Sequence, residues 1–239
     1  STEHLARALE QWEISACLVT PNYATPTGGI LTLQKKQNLI ELASKYHFHL
    51  VEDDIYGELS FIGDTSPLKA IDSNDKVILC GSFSKSLSRE LRIGWVISKA
   101  NIQPIVKAKL VTQLANPQAI QRALAHFLAD GHYRRHLTVF KNQLMHHKQQ
   151  LVSAIDEYFP KSTKYTSPDG GIALWVELPA NINSTELYNR ALQQGIVVTP
   201  GQLFSNKGQY ANFLRLSYNH PIVGARLTAI KKLAQLIRT

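Results

Sequence analysis

Apolar and polar positions follow two rhythms along the first half of the chain. Four short apolar runs, ACLVTP (16–21), HLVEDDIY (49–56), KVILCGSFS (76–84) and RIGWVIS (92–98), have the length of buried strands. Between the first two, LTLQKKQNLIELASKYH (31–47) carries Leu33, Leu39, Ile40 and Ala43 close to helical spacing. Strands alternating with helices predict an α/β domain with a mostly parallel sheet. Ligands of such sheets sit at the carboxyl ends of the strands. The polar residues that end the runs at 16–21, 49–56 and 76–84 therefore mark the expected site.

The rhythm then changes. IQPIVKAKLVTQL and NPQAIQRALAHFLADG predict two helices, with Asn116 as a cap before Pro117 at the first helical position. A long helix is predicted over about 133 to 158, ended by Pro160, as a bridge between two parts of the chain. Beyond it, GGIALWVELP (170–179), IVVTPG (196–201) and NFLRLSYN (212–219) predict strands, TELYNRALQQG (185–195) a helix closed by Gly195, and 221–237 a final helix. This part predicts a small α+β layer domain. The expected division is 1–130 for the larger domain and 131–239 for the long helix and the small domain.

Composition narrows the class. An apolar share of 44% over 239 residues is enough for a real core. No apolar run approaches the roughly 20 residues of a membrane span. STEHLARALEQWEISA has no basic segment followed by an apolar one, so it is not a secretory signal. Cys17 and Cys80 lie in apolar runs and are expected as small core residues, not a disulfide, which fits a cytosolic setting. The net charge of +8 invites a nucleic-acid reading, but the charges are scattered. The densest basic stretch, HYRRHLTVFKNQLMHHKQQ, has the look of the wet face of a helix.

Four loop ends carry candidate chemistry. In SFSKSLSRELRIGW, Lys85 follows a strand among Ser82, Ser84 and Arg92. A lysine amine, with a reference pKa of ~10.4, becomes a nucleophile toward carbonyls when desolvated or placed beside a cation. A serine hydroxyl and a planar guanidinium suit a phosphate dianion. The plain alternative is a solvated turn. In EDDIYGEL, Asp53 and Tyr56 stand three positions apart at a strand end. A carboxylate there can keep a pyridine nitrogen protonated, and the tyrosine hydroxyl can bond a ring oxygen; helix-capping acids are the alternative. In TPNYATPTGG, Pro26 and Gly28 bend a loop that presents Thr25 or Asn22. In FLRLSYN, Arg215 sits among apolar neighbours, either paired with an internal acid or available to a ligand carboxylate. His132 and His136, at i and i+4, have no evident third metal ligand and are expected at the surface. Tyr218 is explained as well by its strand-end position as by a role in the site.

Taken together and in this order, these elements resemble the fold-type-I, pyridoxal-phosphate-dependent aminotransferases of class I/II. The likeness covers essentially the whole chain. It implies an α/β fold of the aspartate aminotransferase type, with part of the large domain and its mostly parallel sheet followed by the small α+β domain. The implied cofactor is pyridoxal 5'-phosphate. Lys85 would form the internal aldimine and act as acid and base; Asp53 would pair with the pyridine nitrogen and Tyr56 with the phenolic oxygen. Ser82 and Arg92 would hold the phosphate, and Arg215 the substrate carboxylate. Thr25 stands where the family has asparagine, and Glu90 where many relatives have glycine.

The phrases CGSFSKSLSRELRIGWV, VEDDIYGELSF, SPDGGIALWVELP, TPGQLFS and YANFLRLSYNHP are similar to the aminotransferase-like domain of MocR-type regulators in the GntR superfamily. That likeness implies a ligand-sensing domain that takes an amino acid or amine. It implies a homodimer, and DNA contact only through an N-terminal winged helix-turn-helix. It also implies that the chain is a C-terminal fragment of a longer cytoplasmic protein. The enzymatic alternative is a transaminase moving an amino group from an α-amino acid to a 2-oxo acid.

Overall fold

The computed structural model describes residues 2–63 and 65–238. The chain packs as two compact units, one of residues 1–24 with 29–139 and one of residues 25–28 with 140–239. The long helix, expected wholly within the second part, is divided between them.

The first unit contains α1 (Thr2–Gln11), β1 (Ala16–Val19), α2 (Leu33–Lys45), β2 (His49–Asp53), β3 (Val77–Ser82), β4 (Gly94–Ile97), α3 (Ile102–Gln113), α4 (Gln118–Ala129) and the start of α5 (His132–Tyr158). Its sheet runs β1-β2-β3-β4. The first three strands are parallel and β4 is antiparallel. Thr32 caps α2 by accepting from the Lys35 N–H at 3.3 Å, satisfying a donor that the helix itself leaves free. The periodic residues Leu39, Ile40 and Ala43 bury against Phe48, Leu50 and Val77, together with Leu9 of α1.

That packing covers one face of the sheet. Strand alternation turns Leu18, Val51, Asp53 and Cys80 to the other face, where Leu18 keeps 71% of its surface exposed within the described residues. Both cysteines are free thiols. Cys17 packs at the α2 core, and Cys80 lies on the open face.

In the second unit, β5 (Lys164–Tyr165), β6 (Ala173–Glu177), β8 (Phe213–Ser217) and β7 (Thr199–Pro200) form an antiparallel sheet in that order, with α6 (Ser184–Leu192) and α7 (Ala225–Arg238). Asn183 caps α6, its side chain accepting from the N–H groups of Thr185 and Glu186. Leu174 pairs with Leu216 and Val176 with Leu214. All four are buried, as are Leu187, Ala191 and Leu233 of the helices. The opposite face carries Trp175, Phe213 and Arg215.

Several expected boundaries move for physical reasons. The strand expected over 196–201 pairs only at Thr199–Pro200, because Pro200 has no N–H to donate and Gly201 begins a one-turn 3-10 helix. The cap of α4 is Pro117, with no side-chain bond, and Asn116 lies before it. The last helix begins at Ala225, after Gly224 with its left-handed φ of 52°. α1 and β5 were not expected from the apolar pattern. No described helix is long and apolar enough to cross a membrane.

Candidate functional site

The carboxyl ends of β2 and β3 gather five of the expected residues. Asp53 is the last residue of β2 and pairs in register with Cys80 of β3. It is flanked by two acids that are already committed. Glu52 is fully buried and accepts from the N–H groups of Leu68 at 2.6 Å and Lys69 at 2.9 Å. Asp54 accepts from Asn22 Nδ2 at 2.9 Å. Asn22 Oδ1 accepts in turn from the buried Lys36 Nζ at 2.9 Å, and that amine also donates to the Ser66 carbonyl at 2.6 Å. Burial pushes both carboxyls up and the Lys36 amine down from their ordinary values; the hydrogen bonds and the Lys36 charge oppose the rise of the carboxyls, the neighbouring carboxylates add to it, and Glu52 and Asp54 oppose the fall of the amine. The Asp53 carboxylate makes no hydrogen bond or ion pair among the described residues. Its charge, with that of Glu52, adds to burial in raising the Cys80 thiol.

Tyr56 is buried and caps a one-turn 3-10 helix over Gly57–Leu59, its carbonyl accepting from the Leu59 N–H at 2.9 Å.

Residues 83–88 form a single turn. The N–H groups of Leu87 and Ser88 both donate to the Phe83 carbonyl, at 2.9 and 3.0 Å. Phe83 and Leu87 share a small core with Leu124, Tyr133 and Trp95. Lys85 stands out of that core, exposed. Ser82 Oγ lies 2.9 Å from Ser84 Oγ and accepts from the Ser84 N–H at 3.1 Å. The segment then returns through Arg89–Leu91 to Arg92, which is exposed and left-handed at φ 51°. The Phe83 N–H donates to the Ile93 carbonyl, holding Arg92 beside the lysine turn. Glu90 pairs with Arg89 in solvent and takes a right-handed turn conformation, so a side chain fits there.

Glycines let this return run close. A Cβ at Gly81 would lie 2.3 Å from the Trp95 ring, and one at Gly94 would lie 2.7 Å from the Gly81 carbonyl. A cavity of about 640 Å³ on this unit is lined by Cys80, Arg92, Trp95 and Val96 of the strands and by Ile105 and Lys109 of α3.

Thr25 and Arg215 belong to the second unit. Thr25 is exposed and precedes Pro26 through a cis peptide. Gly28 is left-handed at φ 72°, and a Cβ there would meet Pro168 at 2.6 Å. Arg215 pairs in register with Trp175 and Thr199. Its guanidinium lies 5.7 Å from the Phe204 ring. Its buried Nε has no hydrogen-bond partner among the described residues. Phe204, Tyr210 and Phe213 surround Trp175 on the same side. Tyr218 is buried and donates to the Gly170 carbonyl at 2.7 Å, a structural bond.

Two groups of functional neighbours were not anticipated. One is the Lys36–Asn22–Asp54 relay. The other joins Glu58, Tyr133, Ser86 and His136. His136 was expected at the surface, but it is half-buried with Nε2 at 2.9 Å from the Ser86 carbonyl. Its spacing of three from Tyr133, on one helix face, was the available signal.

An α/β unit with a free carboxylate, a lysine and an arginine at its strand ends, followed by an antiparallel layer carrying an orphan arginine, defines an aminotransferase-like protein of fold type I. Residues 1–224 match the family model for aminotransferase class I and II, and the chain belongs to that family. It is 36% identical over 236 residues to the uncharacterized HTH-type transcriptional regulator YdcR of Escherichia coli, an alignment covering 98% of this chain and 50% of the regulator. The kynurenine aminotransferase of Pyrococcus horikoshii superposes with a TM-score of 0.90 at 29% identity, covering 100% of this chain and 61% of that one. The α-aminoadipate aminotransferase LysN of Thermus thermophilus, solved with N-(5'-phosphopyridoxyl)-L-leucine, also gives 0.90, at 28% identity, covering 99% and 62%. The chain thus spans about half the length of the regulators it matches.

Proposed function

We propose that this chain is the pyridoxal-phosphate-binding, ligand-sensing domain of a MocR/GntR-type transcriptional regulator. The observation that carries the cofactor assignment is the unspent Asp53 carboxylate at a strand end. Its two acidic neighbours are consumed internally, while among the described residues Lys85 and Arg92 of the same unit are not. The donor set fits the group. Lys85 holds the cofactor aldehyde and moves a proton at Nζ. Asp53 holds the proton on the pyridine nitrogen, Tyr56 orients the ring oxygen, and Ser82 and Arg92 bind the phosphate. Thr25 lies in the loop expected near the ring, and Arg215 binds the carboxylate of the amino acid, or leaves room for an amine. The cofactor supplies the electron sink. The regulator reading is favoured by the YdcR alignment along 98% of this chain. It implies a cytoplasmic homodimer that reaches DNA through a separate N-terminal winged helix-turn-helix.

A second reading is transamination between an α-amino acid and a 2-oxo acid. It is favoured by the likeness to the P. horikoshii and T. thermophilus enzymes. Both readings need Lys85. In the full-length protein, the visible absorption band of covalently held pyridoxal phosphate is expected to vanish in Lys85→Ala; an unchanged band would sink the cofactor assignment. Amino-acid-dependent DNA binding without amino-group transfer to a 2-oxo acid separates the first reading from the second.

A further inference from the structure

The lysine turn is gripped from α5. Tyr133 Oη lies 2.5 Å from Glu58 Oε2 and 2.7 Å from Ser86 Oγ. A phenol has one proton and a carboxylate only accepts, so Tyr133 donates to Glu58 and the Ser86 hydroxyl donates to Tyr133. His136 Nε2, one helical step along the same face, meets the Ser86 carbonyl at 2.9 Å. Both polar ends of Ser86, a residue 1% exposed, are thereby spent on α5.

We propose that Glu58, Tyr133 and His136 form a clasp on the turn, with Tyr133 as the positioning residue that sets where the Lys85 amine stands. The inference rests on the reading of Lys85 as the cofactor-bearing lysine. Three relationships carry it. Ser86 is the residue immediately after Lys85, so fixing both its hydroxyl and its carbonyl fixes the backbone from which the lysine projects. The Tyr133 ring also meets the Phe83 ring edge-on at 5.4 Å, so one side chain grips the turn on both sides of Lys85. Glu58 lies two residues beyond Tyr56, so the clasp joins the two loops that carry the expected aldehyde and ring-oxygen partners. Burial, and then Glu58, push the phenol above its ordinary value, so it remains a donor throughout the working range of pH.

The test is the rate at which the full-length apoprotein attaches pyridoxal 5'-phosphate at Lys85, read by borohydride trapping and mass spectrometry of the Lys85 peptide. Tyr133→Phe keeps the ring packing and loses the hydroxyl, and its attachment is expected to slow about tenfold. Glu58→Gln keeps an acceptor oxygen and is expected to attach near the wild-type rate, while Glu58→Ala slows with Tyr133→Phe. If Tyr133→Phe does not fold, Ser86→Ala carries the same expectation. A folded variant with a lower melting temperature but the wild-type attachment rate would reduce the clasp to a structural staple and overturn the proposal. Absence of label at Lys85 in the wild-type protein would overturn the cofactor reading, and the clasp with it.

Discussion

Asn22 donates to Asp54 at 2.9 Å, and this bond decides which of two adjacent aspartates is left for chemistry. Asp54 is tied through Asn22 to the buried Lys36, while Asp53 faces the open side of the sheet. The two are expected to behave oppositely. Asn22→Ala removes the hydrogen bond of the half-buried Asp54 carboxylate and one of the two bonds of the buried Lys36 amine, and should lower unfolding stability by about 1–3 kcal/mol in urea titration. Asp53→Asn removes no internal bond. It should change stability by less than about 0.5 kcal/mol, while loosening the bound cofactor in an absorbance titration. The reverse pattern would exchange the two roles.

Gly81 lies under the Trp95 ring, where an added Cβ would stand 2.3 Å away. Trp95 in turn contacts Phe83 at 4.7 Å, and Phe83 opens the lysine turn. Phe83 is buried, so the Trp95 ring meets a packed neighbour on that side. Gly81→Ala should therefore destabilise the first unit by about 1–3 kcal/mol, the usual cost of overpacking. It should also slow covalent attachment of cofactor at Lys85. Wild-type stability and attachment together would show that the ring shifts without consequence.

What was legible in the sequence follows from distance along the chain. The lysine turn, with Phe83 and Leu87 four residues apart and Lys85 between them, is a local pattern. So is the D-x-x-Y strand end at Asp53 and Tyr56. The alternation of strands and helices was local too, and it placed the sheet and both layers. By contrast, Asn22 and Asp54 are 32 positions apart and Tyr133 and Ser86 are 47 apart, and no spacing rule joins them. The antiparallel turn of β4 was hidden for another reason. A short apolar run looks the same in either direction, and only the Gly81–Trp95 and Ser82–Gly94 register reveals it. The polar bonds that join distant loops were thus harder to see than the local turns.

His147 is a pH-sensitive group in the second unit. Burial is the main cause of its lowered pKa, with the nearby His146, His220 and Arg226 adding to it and a bond to Tyr218 opposing it. Below the ordinary value of 6.5 the unfolded chain takes up a proton before the folded one does. Stability is therefore lost as pH falls from that value toward the lower folded one. The urea midpoint should drop between about pH 7.5 and about pH 5.5, and His147→Gln should flatten that drop. An equal drop in both proteins would assign the loss to other groups.

Arg215 offers the sharpest contrast between charge and geometry. It pairs in register with Trp175, lies 5.7 Å from the Phe204 ring, and leaves Nε without a hydrogen-bond partner among the described residues. A buried guanidinium nitrogen without an acceptor is costly, and a ligand carboxylate can satisfy it through two parallel bonds. Lysine keeps the charge but loses the planar fork. Arg215→Lys should therefore weaken binding of an α-amino acid by about tenfold to a hundredfold, the range for hydrogen bonds between charged groups, and Arg215→Ala by at least as much. The absorbance of bound pyridoxal phosphate should stay unchanged in both, because Arg215 is assigned to the ligand carboxylate and not to the cofactor. Titration with an amino acid, followed by that absorbance, measures the two effects separately. Equal affinity in wild type and Arg215→Ala would remove Arg215 from the ligand site, and the orphan Nε would then need a partner within the protein.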